Sequence, residues 1–145
     1  MLSNIKITEN EMKYMALLGR MTGATVVDCI IDEEENTIIF AVKRGEVGRA
    51  VGRGGEKIKR FRRMTNKQVE IFEYIPDPEK FIRNALKPAK VKEIRLVDRM
   101  GGGRIAMVNI NAKDKGIAIG RNGQNIKKIR FMAKRYFDLD NIVIN

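Results

Sequence analysis

Hydrophobic and polar positions along the chain follow two periods, and the places where one gives way to the other mark the elements. Met12, Met15, Ala16 and Leu18 recur at helical spacing, and Thr8 stands three residues before Glu11 as in a capping box, which predicts a helix over 8–20 bracketed at its end by Gly19 and Gly23. The pattern then turns to β-rich runs over 24–31 and 37–43 around the acidic turn 32–36, a hairpin. A short helix over 46–51 meets a glycine cluster. A second helix, over 55–65, places Ile58, Phe61 and either Met64 or Thr65 on one face and leaves Lys59, Arg62 and Arg63 on the other. The run 68–74 closes the unit as a strand.

Residues 75–78, Ile-Pro-Asp-Pro, form a short stiff break in which Asp77 suits an N-cap and Pro78 the first helical position. The order then restarts. A helix from 78 to about 86 stops before Pro88, strands follow over 91–97 and 104–110 around a glycine turn at 100–103, a short helix leads to Gly120, a longer one covers 124–137, and 142–144 is a last strand. Each half is therefore α-β-β-α-α-β, an α+β unit with a three-stranded sheet packed by helices on one face, and the halves are expected to be domains at 1–75 and 76–145.

The restart is also a sequence repeat. From Gly48 the chain runs GRAVGRGGEKIKRFR and from Gly116 it runs GIAIGRNGQNIKKIR, with eight of fifteen positions identical at an offset of 68 residues and no gap. That period exceeds those of solenoids, so each copy is a small domain.

Composition sharpens the picture. The 145 residues hold 29 Lys and Arg against 18 Asp and Glu, a net +11, with 43% hydrophobic residues, as in a folded basic protein. The excess is local: residues 44–63 and 112–135 each carry eight basic side chains, against two acidic ones in the first stretch and Asp114 in the second. Together these stretches exceed the whole chain's net charge and leave the remainder slightly acidic, which points to two surfaces built for a polyanion, nucleic acid first. With no His and one Cys, a Ser-His-Asp triad and a zinc or iron-sulfur centre are excluded, and neither cofactor nor metal is expected. Cys29, in the largely apolar run 26–31, is expected as a buried core thiol in a reducing cytoplasm. No run reaches membrane-span length, and residues 1–10 lack the apolar stretch of a signal peptide, so neither membrane insertion nor export is expected. The high charge content, with two glutamines, leans towards heat adaptation.

The element shared by the halves is two short helices joined by Gly-x-x-Gly, with an apolar residue before and a basic run after. Glycine lets the backbone approach a ligand closely, and the helix that starts there presents unpaired N–H groups and a positive dipole end to a phosphate. Arg53 and Arg121 lie inside the loops. A triphosphate-using enzyme would need G-x-x-x-x-G-K-[ST] and a metal-binding acidic pair, and the chain has neither, so no enzymatic activity is expected. Gly101-Gly102-Gly103 lies between two strands and is a hairpin turn. Phe61 and the Ile, Val and Met positions at regular spacing are core, while Val51, Ile58, Ile119 and Ile126 suit either the core or the floor of a nucleotide groove.

Val51-Gly52-Arg53-Gly54-Gly55 and Ile119-Gly120-Arg121-Asn122-Gly123 resemble the signature of the KH family, whose loops clamp about four nucleotides of single-stranded nucleic acid. The short chain after Gly123 has room for one helix and one strand, which is similar to type II KH domains. Ala118 to Ile126, AIGRNGQNI, resembles the second KH loop of the NusA transcription factors, and the tandem is most similar to the short archaeal NusA-like proteins. The resemblance implies single-stranded RNA as partner, contacted by Gly52, Arg53, Gly54, Gly55, Lys57 and Lys59 in the first half and by Gly120, Arg121, Asn122, Gly123, Asn125, Lys127 and Lys128 in the second. It implies a role in transcription termination or antitermination, with RNA polymerase or other transcription factors as further partners, and a cytoplasmic monomer. The competing expectation is a ribosome-associated or rRNA-processing KH protein using the same surface.

Overall fold

The computed structural model describes residues 5–145. Residues 1–4, part of the expected first domain and of the segment read for a signal peptide, lie outside the described residues. The chain divides into two compact units, Lys6–Ile75 and Pro76–Asn145, with Ile5 grouped with the second.

In the first unit α1 (Glu9–Thr22) opens on the capping box: the Thr8 hydroxyl accepts from the Glu11 N–H and the Glu11 carboxylate accepts from the Thr8 N–H at 2.8 Å. Such a cap contributes about 1 kcal/mol. The helix runs through Gly19 and ends at Gly23, left-handed at φ 74°, whose N–H donates to the Gly19 carbonyl. The helix thus continues to Thr22, two residues past the expected end at 20, because only the residue beyond the last turn has to leave the helical region. The first strand accordingly starts later than expected. β1 (Val26–Asp32) pairs antiparallel with β2 (Thr37–Lys43), and β2 pairs parallel with β3 (Gln68–Tyr74), so β2 is central. Between β2 and β3 the chain makes α2 (Val47–Val51), a 3-10 turn at Arg53–Gly55, and α3 (Glu56–Thr65).

The second unit repeats the order. Asp77 caps α4 (Pro78–Ala85) by accepting from the Lys80 N–H, with Pro78 at the first turn. β4 (Val91–Asp98) is antiparallel to β5 (Arg104–Ile110), and β5 is parallel to β6 (Asn141–Ile144). α5 (Lys115–Ile119), a 3-10 turn at Arg121–Gly123 and α6 (Gln124–Phe137) join β5 to β6. Even the irregularities recur: the register slips between Val26 and Asp28 in one hairpin and between Val91 and Glu93 in the other. The second hairpin is longer, closing through three glycines at positive φ, and Arg99 N–H donates to the Gly103 carbonyl across the turn.

Each core lies between sheet and helices. Leu18, Cys29, Ile38, Phe40, Ile58, Phe61 and Val69 form one buried cluster, in which the Phe40 and Phe61 rings meet edge to face at 5.5 Å. Thr65 rather than Met64 completes the buried face of α3; the Thr65 hydroxyl donates to the Phe61 carbonyl, while Met64 is exposed. In the second unit Phe81 packs against Tyr136 and Phe137, with Ile126, Ile129 and Met132 buried along α6. Among the described residues no helix is long and apolar enough to cross a membrane, and no group of three His, Cys, Asp or Glu is placed to hold a metal ion.

Candidate nucleic-acid interface

The glycine loops are two copies of one backbone shape. Gly52 has φ 80° and ψ 169°, and Gly120 has φ 79° and ψ 173°, a region that is essentially reserved for glycine. Two residues on, Gly54 (64°, 19°) and Asn122 (54°, 28°) are left-handed, as are Gly55 (74°, 18°) and Gly123 (71°, 13°). No corresponding pair of these angles differs by more than 10°. Asn is among the few side chains that tolerate the left-handed region, so it can replace glycine at the third loop position without changing the turn.

The first glycine of each loop also lacks space for a side chain. A Cβ on Gly52 meets Lys57 Cγ at 2.8 Å, and one on Gly120 meets Asn125 Cβ at 2.7 Å and its main-chain N at 3.0 Å. On Gly54 or Gly123, by contrast, a Cβ meets nothing within 4 Å among the described residues, so the outer side of each loop is open. Arg53 and Arg121 stand exposed there.

Close approach at the first glycine gives Lys57 and Asn125 a task that the sequence does not reveal. Both belong to the expected RNA contacts, yet both turn inward. Lys57 Nζ donates to the carbonyls of Thr22 and Arg49, and Asn125 Nδ2 donates to that of Ala118 at 2.9 Å. Carbonyls at helix ends lack partners within the helix, and these side chains supply them. Two carboxylates brace the other end of each short helix. Glu46 accepts from the Thr25 N–H at 2.6 Å just before β1, and Asp114 accepts from the Lys90 N–H at 3.1 Å just before β4. The Thr25 N–H holds the Glu46 carboxyl below the usual carboxylate range, and Arg49 and Lys43 add to the effect.

The repeated arginines Arg62 and Arg130 tie each loop helix to the third strand. Arg62 reaches the Val69 carbonyl at 3.5 Å, and Arg130 donates twice to the Ile142 carbonyl at 3.1 and 3.0 Å. In the first unit the result is an open cleft of about 270 Å³ lined by Val51, Gly55, Ile58, Lys59, Arg62, Val69 and Ile71. It has an apolar floor and a cationic rim. Its volume falls just below the roughly 300–1,000 Å³ of enclosed small-molecule pockets, so it suits bases laid in from an extended strand. In the second unit Ile119 is 38% exposed beside the loop, Ile126 is buried, Lys127 is exposed and Lys128 half-buried. Val69 and Ile71 on β3 escape the sequence reading because their alternation marks a strand and says nothing of a groove beside it. Glu46 and Asp114 escape it because the N–H groups they accept from are far away in sequence.

The loop helices differ at their first residue. α3 begins with Glu56 and α6 with Gln124, so a carboxylate stands at one anion-attracting helix start and a neutral amide at the other.

Comparison with known proteins finds matches over both halves of the chain. A family model described as NusA-like second KH domain matches residues 78–144, and one described as KH domain matches residues 12–96. The probable transcription termination protein NusA of Halococcus morrhuae is 31% identical over 138 residues, which is 95% of this chain and 96% of its own length. That of Methanocaldococcus jannaschii is 29% identical over 143 residues, covering 99% of this chain and 76% of its own. The crystal structure of APE1850 superposes with a TM-score of 0.88 at 37% identity, covering 96% of this chain and all 100% of its own.

Proposed function

The chain belongs to the NusA-like family of KH-domain proteins, and from that premise we propose that it grips single-stranded RNA at both glycine loops and acts, without catalysis, in transcription termination or antitermination. The observation that carries this reading is the matching backbone of the two loops, each open on its outer side and each followed by a helix that carries exposed lysine. The KH-domain models and the names of the relatives together support an RNA-binding role in transcription.

In this reading the loop backbone lies against the RNA phosphates, because the open side of Gly54 and Gly123 lets the strand come close. Arg53 and Arg121 neutralise neighbouring phosphates, and the start of α3 or α6 adds its dipole. Lys59 lines the rim of the cleft and Lys127 takes the equivalent place, while Val51, Ile58, Val69 and Ile71 receive the bases. Lys57 and Asn125 hold the loop in shape behind them. RNA polymerase and other transcription factors are the further partners of this reading, and the protein works as a cytoplasmic monomer.

The test is charge reversal within the loops. Asp tolerates the left-handed region, so Arg53→Asp with Gly54→Asp, and Arg121→Asp with Asn122→Asp, keep the turns. The combined variant is expected to retain its circular dichroism spectrum and to lose affinity for a fluorescent single-stranded RNA. Undiminished affinity in the folded variant refutes the loops as the RNA site. Sequencing RNA crosslinked in cells separates nascent transcripts from rRNA, and enrichment of rRNA alone contradicts the transcriptional role.

A further inference from the structure

Of the nine Phe and Tyr side chains in the sequence, Phe131 is the one that stands exposed, at 51%. It lies on α6, and its neighbours one turn away are Lys127 and Lys128 on one side and Lys134 and Arg135 on the other, so every i±3 and i±4 position carries a cation. An apolar ring framed in this way belongs to no core. It also offers too little continuous apolar surface for a protein groove, since patches that dock proteins run to hundreds of Å². Lys134 pairs with Asp138 at 2.7 Å and Asp140 at 3.0 Å. The charge around the ring is therefore weighted towards Lys127, on the turn nearer the Gly120–Gly123 loop.

The internal repeat adds a second observation. Sixty-eight residues earlier the equivalent position is Arg63, also exposed. A phenyl ring and a guanidinium plane differ in charge, size and polarity but share a flat face, and both stack on nucleobases. Exposed aromatic rings in basic surroundings are the usual platforms for single-stranded nucleic acid.

We infer that Phe131 is a base-stacking platform for single-stranded RNA, one helical turn and about 6 Å along α6 beyond Lys127, outside the loop itself. This inference rests on the RNA-binding reading above and extends its second site by a nucleotide.

Three variants test it: Phe131→Ala, Phe131→Leu and Phe131→Trp. The probe is a mixed-sequence single-stranded RNA of about a dozen nucleotides, in the range of such sites. Phe131→Ala and Phe131→Leu are expected to weaken binding roughly 5- to 100-fold, with the dependence on salt unchanged because no charge is removed. Phe131→Trp is expected to keep the affinity. The chain has no tryptophan of its own, so this variant carries a single indole, whose fluorescence should fall as the RNA binds. Equal affinity of Phe131→Ala and the unaltered protein overturns the inference, as does full affinity of Phe131→Leu or an indole signal that ignores RNA. A ring that serves a protein partner gives the first of these results. If the unaltered chain binds RNA and the loop variants do not, such a result removes the stacking platform alone. If the unaltered chain binds no single-stranded RNA, the RNA-binding reading fails and the platform with it.

Discussion

Replacing Gly120 by alanine separates the two demands that the loop makes on glycine. At φ 79° and ψ 173° the backbone lies where side chains are almost never found, a strain of about 1–3 kcal/mol. The added Cβ also comes within 2.7 Å of Asn125 Cβ and 3.0 Å of its main-chain N. Neither atom is the end of a flexible chain, so α6 has to shift, and overpacking of this kind costs about 1–3 kcal/mol. Together the two terms give about 2–6 kcal/mol, a large share of the roughly 5–15 kcal/mol that stabilises a domain. Gly123→Ala meets only the first kind of demand, in the milder left-handed region with nothing within 4 Å among the described residues, and costs about 1–2 kcal/mol. Gly52→Ala falls between, because its Cβ comes within 2.8 Å of Lys57 Cγ and 3.2 Å of the Lys57 main-chain N, an approach slightly looser than that at Gly120. Urea unfolding followed by circular dichroism, with hydrogen exchange over residues 47–74 and 115–144 to localise the loss in each unit, measures the order Gly120→Ala, Gly52→Ala, Gly123→Ala. If Gly120→Ala costs no more than Gly123→Ala, the close approach of Asn125 is not what requires glycine at this position.

Four further outcomes follow from the same geometry. Glu56→Gln is expected to raise affinity for RNA a few-fold, since it removes a carboxylate from the start of α3 at a position where such charges are worth about 0.3–1 kcal/mol; titration at low salt reads the change, and weaker binding contradicts a phosphate at that helix start. Log affinity is expected to fall linearly with log salt, and Lys59→Ala and Lys127→Ala each to reduce the slope by about 0.7, so a flat response would refute phosphate contact. Arg130→Met, which removes both bonds to the Ile142 carbonyl, is expected to destabilise the second unit by about 1–3 kcal/mol, read as a lower urea midpoint. The hydrogen bond from Lys134 holds the Asp140 carboxyl below its ordinary range; its stabilising effect is present above the unfolded carboxylate value and lost as pH falls through the lowered one, so an NMR titration of Lys134→Met should show Asp140 titrating at higher pH than in the unaltered chain.

Much of the fold is legible because the apolar period changes sharply at residues that end elements. Thr37–Lys43, Gln68–Tyr74, Arg104–Ile110 and Gln124–Phe137 begin and end where the pattern does. Helix ends marked by glycine are less legible, since Gly19 and Gly23 look alike in sequence and only the second takes a left-handed conformation. The slips at Val26/Asp28 and Val91/Glu93 carry no glycine or proline to announce them. In the candidate site the loop stands out because glycine is the residue its angles need. The division of labour among the cations does not. Lys57 and Lys59 are both lysines on a basic helix, two residues and so more than half a turn apart, and only the three-dimensional contacts reveal that one braces the loop while the other borders the cleft. The offset that Arg62 and Arg130 share with the rest of the repeat invites a functional reading, although both guanidinium groups are engaged with strand carbonyls.

Asn122 followed by Gly123 is also a chemically perishable pair. Asparagine deamidates when the next main-chain nitrogen closes on the side-chain amide carbon, and a following glycine hinders that closure least; Asn is among the thermolabile residues for this reason. In the folded loop the nitrogen in question is occupied, because the Gly123 N–H donates to the Gly120 carbonyl at 3.1 Å. The turn that shapes the loop therefore also protects its asparagine from ageing. A chain whose second loop is loosened, as by Gly120→Ala, is expected to deamidate faster at Asn122, which incubation and peptide mass spectrometry would detect. Each such event installs a carboxylate where the proposed RNA backbone lies, so the working lifetime of the second site is set by how firmly Gly120 keeps its turn.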